Sequence, residues 1–256
     1  MYLRAIHAED DLPTLHSFVK NHPLGILTTS IHSSQHPVIQ VSHIPWILDE
    51  ASDREVTELG VLRGHMARQN PQSKALIEAA TAESPDTSGG VQLKDEVLVL
   101  FNGPVHHYVT PKFYTETKPA TGKVVPTWDY SAVQAYGKAT VFVDRSAEST
   151  EFLSRQLDDL SNHAETDIMG FTGENGSKGA WKVTDAPDNF ISLQQKAIIG
   201  IQIDITRLDG KFKMSQEMKA GDRAGVAQGF EDLGTEIGRD MAQCVLERER
   251  IAAERK

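Results

Sequence analysis

The sequence predicts a mainly β fold with peripheral helices, an α+β class in which the strands form a barrel. Apolar and β-branched segments recur at short spacing along the 256 residues, with few helical segments between them. This pattern favours a barrel over a doubly wound parallel sheet. The clearest strand is 197–208, where Ile199, Ile201, Ile203 and Ile205 alternate with other residues, which predicts one buried face.

The other elements are predicted from periodicity and from the residues that end them. The remaining strands are 24–31, 37–48, 59–64, 96–101, 105–110 and 132–143, and the helices are 12–20, 71–80, 149–163 and 230–255. Asn70 and Pro71 predict the N-cap and the first position of the second helix. Pro45 predicts a bulge or an unpaired edge position within its strand.

Two connections are predicted from composition. Residues 81–94 are rich in Ser, Asp, Gly and Thr, which predicts a surface loop. The Asn102-Gly103 pair predicts a hairpin between the strands on either side of it.

We expect one domain over 1–229, with 230–256 as a C-terminal helical extension of the same domain. One face of that helix carries an apolar stripe, formed by Leu233, Ile237, Met241 and Val245, as expected of a helix that packs on a core.

The balance of charge disfavours direct DNA binding. The chain has 36 acidic and 26 basic side chains and a net charge of −10, and it has no long run of Lys and Arg, whereas a protein that neutralises DNA phosphates usually presents a basic face. We expect no membrane span and no signal peptide. Cys244 is the only cysteine, which excludes a disulfide framework and predicts a cytoplasmic location.

Several common site motifs are absent. The sequence contains neither a dinucleotide-binding nor a P-loop glycine pattern, and it has no zinc-protease or serine-hydrolase motif. His32, His36 and His43 lie close enough in sequence to invite a metal hypothesis. We favour loop and strand-edge positions for them, because no carboxylate partner or ligand spacing accompanies them. The sequence therefore predicts no metal site.

Five segments, taken together and in this order, are distinctive. They are 23–29 (PLGILTT), 42–46 (SHIPW), 64–71 (GHMARQNP), 125–130 (VPTWDY) and 210–216 (GKFKMSQ). In this order they resemble the PaiB-like family, described as FMN-binding negative transcriptional regulators. That family belongs to the flavin split barrels, like pyridoxamine phosphate oxidase. The resemblance implies a split β-barrel that binds flavin mononucleotide (FMN), and a homodimer with the cofactor at its interface.

The sequence departs from the family pattern at functional segments. The family usually has Asn where this chain has Asp129 and Glu217. It usually reads closer to Tyr-Ile-Ser-Pro where this chain has 108–111 (YVTP). These departures concern the substrate and any regulatory role more than the fold.

The phosphate of FMN needs cations and aligned N–H donors. We expect them where a strand leads into the helix capped by Asn70, with Arg68 as a bidentate phosphate ligand. The predicted phosphate-side residues are Gly64, His65, Ala67, Arg68 and Asn70. An ordinary strand-to-helix turn with a solvated arginine is the alternative, and the resemblance favours the site.

The isoalloxazine ring needs an apolar wall and polar groups along its edge. We expect these from Thr28, Ser42, His43 and Ile44, whose strand backbone groups would be left free beside Pro45. A bulge at a barrel corner is the alternative and is compatible with the same arrangement.

The remaining candidates lie in the last two family segments. Trp128 and Tyr130 are expected to stack on the flavin or to close a substrate pocket, with core packing as the alternative. The resemblance implies further cofactor contacts from Lys211, Lys213, Ser215 and Gln216, for which a solvated edge strand is the alternative.

The sequence leaves three functions open. The first is an FMN-dependent oxidoreductase that transfers a hydride to or from a small organic substrate, an aromatic one included, with Asp129, Tyr130 and His43 as candidates for proton transfer. If Asp129 faces the pocket, it adds a general base suited to a desaturation. The second is an FMN-binding transcriptional regulator of the PaiB type. A haem-handling or flavin-storage protein is the third, and we rank the oxidoreductase first.

Overall fold

The computed structural model describes residues 1–50 and 58–254. The chain divides into two compact units. The terminal unit comprises Met1–Asp11, Asn102–Val133 and Asp209–Lys256, and the central unit comprises Leu12–Phe101 and Gln134–Leu208.

Strands and helices of both units are numbered here in chain order. The strands are β1 (Ala8–Glu9), β2 (Leu24–Ser30), β3 (Ile39–Pro45), β4 (Ile47–Asp49), β5 (Val61–Ala67), β6 (Val91–Asn102), β7 (His107–Val109), β8 (Thr127–Phe142) and β9 (Ile198–Lys213). The helices are α1 (Leu12–Asn21), α2 (Pro71–Glu83), α3 (Thr117–Thr121), α4 (Ala147–His163), α5 (Asp188–Lys196), α6 (Ala220–Glu231) and α7 (Glu236–Glu254).

The main sheet has the strand order β3-β2-β6-β8-β9-β5-β4. β2 pairs antiparallel with β3 and β6, and β5 pairs antiparallel with β4 and β9. In the terminal unit, β1 pairs with the end of β9 and β7 with the start of β8. The predicted mainly β class with accompanying helices is confirmed.

The alternating isoleucines that predicted β9 match the alternation of buried and less buried side chains along the strand. Ile199, Ile201, Ile203 and Ile205 are all buried, and the side chains between them are less so, because successive residues of a strand point to opposite faces. The strand continues to Lys213, five residues past its predicted end.

The terminal unit has its own apolar core, to which the last two helices contribute Val226, Phe230, Met241 and Val245. The prediction of one helix over 230–255 is wrong. α6 ends at Glu231 and α7 begins at Glu236, with Gly234 between them at a φ of +67°, a conformation that favours glycine. Leu233 is consequently in the turn and 43% exposed, and Arg255 lies outside the described residues.

Two predicted connections are also wrong. β7 pairs with β8 and forms no hairpin with β6 within the part of the chain that the structure describes. The predicted loop over 81–94 is much shorter, because α2 continues to Glu83 and β6 starts at Val91. The hairpin prediction failed because the pairing partner of a strand is set by tertiary packing.

No helix among the described residues combines the length with the apolar character that a membrane span requires.

Candidate functional site

The guanidinium group of Arg68 lies at the end of β5 without an acidic partner among the described residues. Arg68 follows β5, and its Nη2 donates to the backbone oxygens of Val143 at 2.7 Å and Ile198 at 3.3 Å. Burial, and then the like charge of the exposed Arg145, lower the pKa of Arg68. Within residues 1–50 and 58–254, neither arginine forms an ion pair with a carboxylate. A cation without a carboxylate partner can pair with an anion.

The N-terminus of α2 offers fewer donors than the sequence implied. Asn70 caps the helix as predicted, with its Oδ1 accepting from the Gln72 N–H at 2.9 Å. Pro71 has no N–H, and the Lys74 N–H donates to the Asn70 carbonyl at 3.0 Å. Asn70 Nδ2 also donates to Ser42 Oγ at 3.0 Å. The structure thus brings Ser42 and Asn70 together and leaves few free N–H donors at this end of α2.

His65 lies near the end of β5 and is half-buried. Its Nδ1 is buried and has no hydrogen-bond partner among the described residues. Burial lowers the pKa of His65, so that the imidazole is neutral near pH 7. A buried ring nitrogen without a partner is costly unless a ligand or water supplies one. Ala67 is exposed at the strand end, and its carbonyl accepts from Ser73 Oγ at 2.7 Å.

Gly64 is buried in the middle of β5, whereas the sequence placed it at a strand end. A Cβ at this position would lie 2.9 Å from two ring atoms of Trp46 and 3.3 Å from Ile44. The absence of a side chain therefore lets the buried indole lie against the strand. This contact accounts for the glycine without a cofactor.

We expect Gly64→Ala to lower the free energy of unfolding by about 1–3 kcal/mol, because the added methyl group displaces a fully buried indole. Thermal denaturation of the variant measures the change. Gly179→Ala is the matched control, since a Cβ there meets nothing within 4 Å. Equal midpoints for the two variants would contradict the packing role of Gly64.

The ring-side candidates lie side by side on β2 and β3. Leu27 pairs with Ser42 and Thr28 with Val41, and His43 and Ile44 continue the same antiparallel ladder. Thr28 and Ser42 are half-buried, Ile44 is buried and His43 is exposed. These four candidates and the phosphate-side candidates are all in the central unit.

The predicted effect of Pro45 is only partly correct. The strand does break there, since β3 ends at Pro45 and β4 starts at Ile47. The N–H of the intervening Trp46, however, donates to the Pro23 carbonyl at 2.9 Å. That amide is therefore not free to meet a ligand, contrary to the expectation for the groups beside the proline.

The other candidates belong to the terminal unit, where three of them form a buried polar cluster. Asp129 is 0% exposed. Its Oδ2 accepts from Ser215 Oγ at 2.7 Å, and its Oδ1 lies 3.2 Å from Lys213 Nζ. Burial raises the pKa of Asp129, against the opposing hydrogen bond from Ser215 and the charge of Lys213. Both carboxylate oxygens are therefore engaged inside the protein.

Lys213 connects this cluster to Glu217. Its ammonium group lies 3.2 Å from Glu217 Oε1 and also donates to Thr127 Oγ1 at 2.8 Å. Glu217 Oε2 is 3.0 Å from Nε2 of the buried His7. Burial raises the pKa of Glu217, but the hydrogen bond with His7 and the charge of Lys213 outweigh it, so that the pKa is lowered. Nearby, burial and then Asp129 and Glu217 raise the pKa of Tyr114 to about 12.

The remaining candidates of the terminal unit have different environments. Trp128 is 51% exposed, so core packing does not explain it. Tyr130 is half-buried, with the Lys211 ammonium 5.3 Å from its ring centre. The amide of Gln216 accepts from the Met214 N–H at 2.6 Å and donates to the Phe212 carbonyl, so both of its ends are occupied.

Two residues of the site were missed at the level of the sequence. Arg145 lies far from the family segments, and only the tertiary fold brings it to Arg68. Gln72 is buried and its Nε2 donates to Thr29 Oγ1 at 3.0 Å and to the Gln40 carbonyl at 3.1 Å, which fixes the start of α2 against β2 and β3. A buried polar residue in the first turn of a helix was the available signal.

No cluster of three metal-ligating side chains occurs in the described ranges.

Comparisons with known proteins show which family the chain belongs to. A family model described as "Putative FMN-binding domain" matches residues 1–207. An uncharacterized protein of Aspergillus fumigatus is 60% identical over 255 residues, covering 97% of both chains. The protease synthase and sporulation protein PAI 2 of Bacillus subtilis is 23% identical over 242 residues, which is 94% of this chain and 93% of that protein.

Among solved structures, the flavocytochrome Anf3 from Azotobacter vinelandii is 12% identical, covers 82% of this chain and 72% of its own length, and has a TM-score of 0.45. The family match and the PAI 2 relative confirm the PaiB-like resemblance, and the family match supports FMN as the cofactor. The chain belongs to the FMN-binding domain family.

Proposed function

We propose that this protein is an FMN-dependent oxidoreductase that transfers a hydride to or from a small organic substrate. The observation that carries the proposal is Arg68, a partly buried guanidinium after β5 that donates to the Val143 and Ile198 carbonyls and has no carboxylate partner among the described residues. A phosphate dianion fills the remaining donors of Arg68, and the like charge of Arg145, which helps to lower the pKa of Arg68, attracts the same anion. The family match gives that phosphate its identity as part of FMN.

The residues of the central unit fit the parts of this cofactor. Arg68 and Arg145 hold the phosphate, and His65 gains the partner that its buried Nδ1 lacks in this structure. Thr28 and Ser42 supply hydroxyl groups for the polar edge of the ring system, beside the apolar Ile44. When bound, FMN supplies the hydride chemistry, and the protein supplies binding and orientation.

Proton transfer needs a group that a substrate can reach. Both oxygens of Asp129 are occupied inside the terminal unit, so we assign Asp129 the positioning of Lys213 and Ser215 and not the role of general base. The exposed His43 and the half-buried Tyr130 are the candidates for proton transfer. Both present a titratable group on a strand, which is a rigid support for a reacting group.

An absorbance spectrum of the purified, untagged protein tests the proposal first, before and after adding FMN and removing the excess. We expect bands near ~370 and ~450 nm, typical of an oxidised flavin. Anaerobic addition of a reduced nicotinamide or of an oxidisable organic substrate should then bleach the second band. A colourless protein that refuses FMN contradicts the whole proposal. A yellow protein that neither reductant bleaches contradicts only the oxidoreductase activity.

We also propose a homodimer, supported by the exposed apolar side chains of β3. This strand ends the main sheet among the described strands, and Ile39 and Val41 are 68% and 54% exposed. A long apolar edge strand pairs or aggregates unless it is covered.

We expect Val41→Lys to convert the dimer to a monomer, because the charge cannot be buried against a second copy. Light scattering after size-exclusion chromatography gives the mass directly. Leu193→Lys is the matched control, since Leu193 is similarly exposed on α5 and should leave the dimer intact. A monomeric wild-type protein would contradict the proposal.

A second candidate is a regulatory flavoprotein, which the similarity to PAI 2 over 94% of this chain supports. The net charge of −10 opposes direct operator binding. A gel shift with promoter DNA at modest salt separates the candidates: a specific shift favours the regulator, and its absence favours the oxidoreductase.

We place the protein in the cytoplasm on the basis of its cysteine content. Cys244 is half-buried and unpaired, and burial raises the pKa of its thiol. Such a thiol is a weak nucleophile and suits a reducing compartment.

A further inference from the structure

The terminal unit presents an aromatic face to solvent, formed by His106, Tyr108, Trp128 and Tyr130. Tyr108 and Trp128 are direct cross-strand partners on β7 and β8. Their neighbours in register, His107 and Asp129, point to the other side, where His107 packs edge-on against Phe230 at 5.5 Å. The aromatic face is therefore the outer side of this strand pair. Tyr108 is 43% exposed and Trp128 is 51% exposed.

The rings of the aromatic face do not cover one another. The ring centres of Tyr108 and Trp128 are 6.2 Å apart with an angle of 63° between the planes, and those of His106 and Trp128 are 6.3 Å apart at 31°. A closed stack looks different: Phe142 and Phe152, in the central unit, lie 4.0 Å apart at 14°. The indole of Trp128 thus keeps exposed surface on which a further flat ring can stack.

The ammonium group of Lys211 accompanies these rings. Lys211 Nζ lies 5.3 Å from the centre of the Tyr130 ring and donates to the Tyr2 carbonyl at 3.0 Å. It contacts no carboxylate in the part of the chain that the structure describes, in contrast to Lys213 two residues later. Tyr130 is two residues from Trp128 on the same strand face, about 7 Å along β8. One ammonium group at the border of an aromatic surface matches one negative charge on a flat molecule.

We propose that the aromatic face binds an aromatic carboxylate, with its ring on Trp128 and its carboxylate on Lys211. The inference goes beyond the proposed function, because it assigns a class of ligand to a surface of the terminal unit. One lysine satisfies a singly charged carboxylate but is a poor match for a phosphate dianion, which needs several donors. The charge of this face therefore favours an organic acid over the phosphate end of a nucleotide.

Isothermal titration calorimetry of the FMN-loaded protein with 2-naphthoate tests this inference. We expect Trp128→Ala and Lys211→Met each to weaken binding by about tenfold or more, from the loss of a ring contact and of a charge-assisted hydrogen bond. Trp128→Phe should restore most of the affinity, which separates the ring contact from any misfolding. Trp181→Ala is the control, since Trp181 is similarly exposed in the central unit. Cyclohexanecarboxylate, which has the charge without the flat ring, should bind much more weakly.

The outcomes separate this inference from the proposed function. No binding of 2-naphthoate to an FMN-loaded protein overturns the inference and leaves the flavin site intact. Loss of FMN itself on Trp128→Ala also overturns it, since the face then belongs to the cofactor. A protein that binds 2-naphthoate through Trp128 but never takes up FMN overturns the proposed oxidoreductase and retains the aromatic face as a binding surface. Equal effects of Trp128→Ala and Trp181→Ala would show non-specific contact and overturn the inference.

Discussion

Replacing Lys213 by methionine is expected to lower the free energy of unfolding by about 3 kcal/mol or more. The ammonium group is the counter-charge of two carboxylates, the fully buried Asp129 and the largely buried Glu217. Removing one partner of a buried ion pair leaves the other charge uncompensated in a poorly solvated site, which typically costs about 3–5 kcal/mol. Methionine keeps the apolar length of the side chain, so the loss measures the charge. Chemical denaturation at pH 7 gives the value.

The stability loss on Lys213→Met should depend on pH in a defined direction. The pKa of Asp129 is raised in the folded state, so its ionisation weakens the fold as pH rises from the unfolded-state pKa through the folded one. The pKa of Glu217 is lowered, so its contribution has the opposite sign and is lost as pH falls. Without Lys213 both folded-state pKa values rise. The free energy of unfolding of the variant should therefore be closest to that of wild type near about pH 4, and the difference should be largest above about pH 6.

Two further variants make this prediction specific. Lys211→Met removes a lysine from the same strand that contacts no carboxylate among the described residues, and it should change stability by less than about 0.5 kcal/mol. Adding Asp129→Asn to Lys213→Met removes the stranded charge and should recover part of the loss. A Lys213→Met protein as stable as wild type, or a double variant less stable than the single one, would contradict the counter-charge role.

The strands and most helices could be predicted because each has a local signature. Alternating isoleucines identified β9, and the Asn70 cap with Pro71 identified the start of α2. The connections that were predicted wrongly also had local signatures, but the strands that they join are paired according to partners distant in sequence. Asn102-Gly103 is a good hairpin signal, yet β7 pairs with β8, because Tyr108 and its neighbours align with residues some twenty positions later.

The candidate site follows the same division. Arg68, His65, Ser42 and Asn70 could be named from sequence because they belong to segments that resemble a family. Arg145 could not, since its role depends only on a like charge that the fold brings to Arg68. The lysines of β9 show the limit most clearly. The sequence treats Lys211 and Lys213 alike, whereas one lies beside exposed rings and the other is enclosed by carboxylates. Burial, which separates their roles, is a tertiary property.

The second large effect is expected for Arg68→Gln, which should weaken FMN binding by about 100-fold or more. The N-terminus of α2 has few free donors, because Pro71 has none and the Gln72 N–H is taken by Asn70. The phosphate therefore depends on Arg68, and each hydrogen bond between charged partners contributes about 1.5–3 kcal/mol. Titration of the flavin-free protein with FMN, followed by flavin fluorescence, gives the dissociation constant.

Riboflavin, which has the ring and the ribityl chain but no phosphate, identifies which part of the cofactor Arg68 holds. Wild type should bind FMN far more tightly than riboflavin, and Arg68→Gln should bring the two affinities close together while leaving riboflavin binding unchanged. Arg145→Gln should have a smaller effect in the same direction, because Arg145 is exposed and solvent screens its charge. Arg155→Gln is the control, since Arg155 is an exposed arginine near Asp49 and Asp159. If Arg68→Gln weakened riboflavin and FMN equally, Arg68 would support the fold of the site through Val143 and Ile198, and the phosphate would have to bind elsewhere.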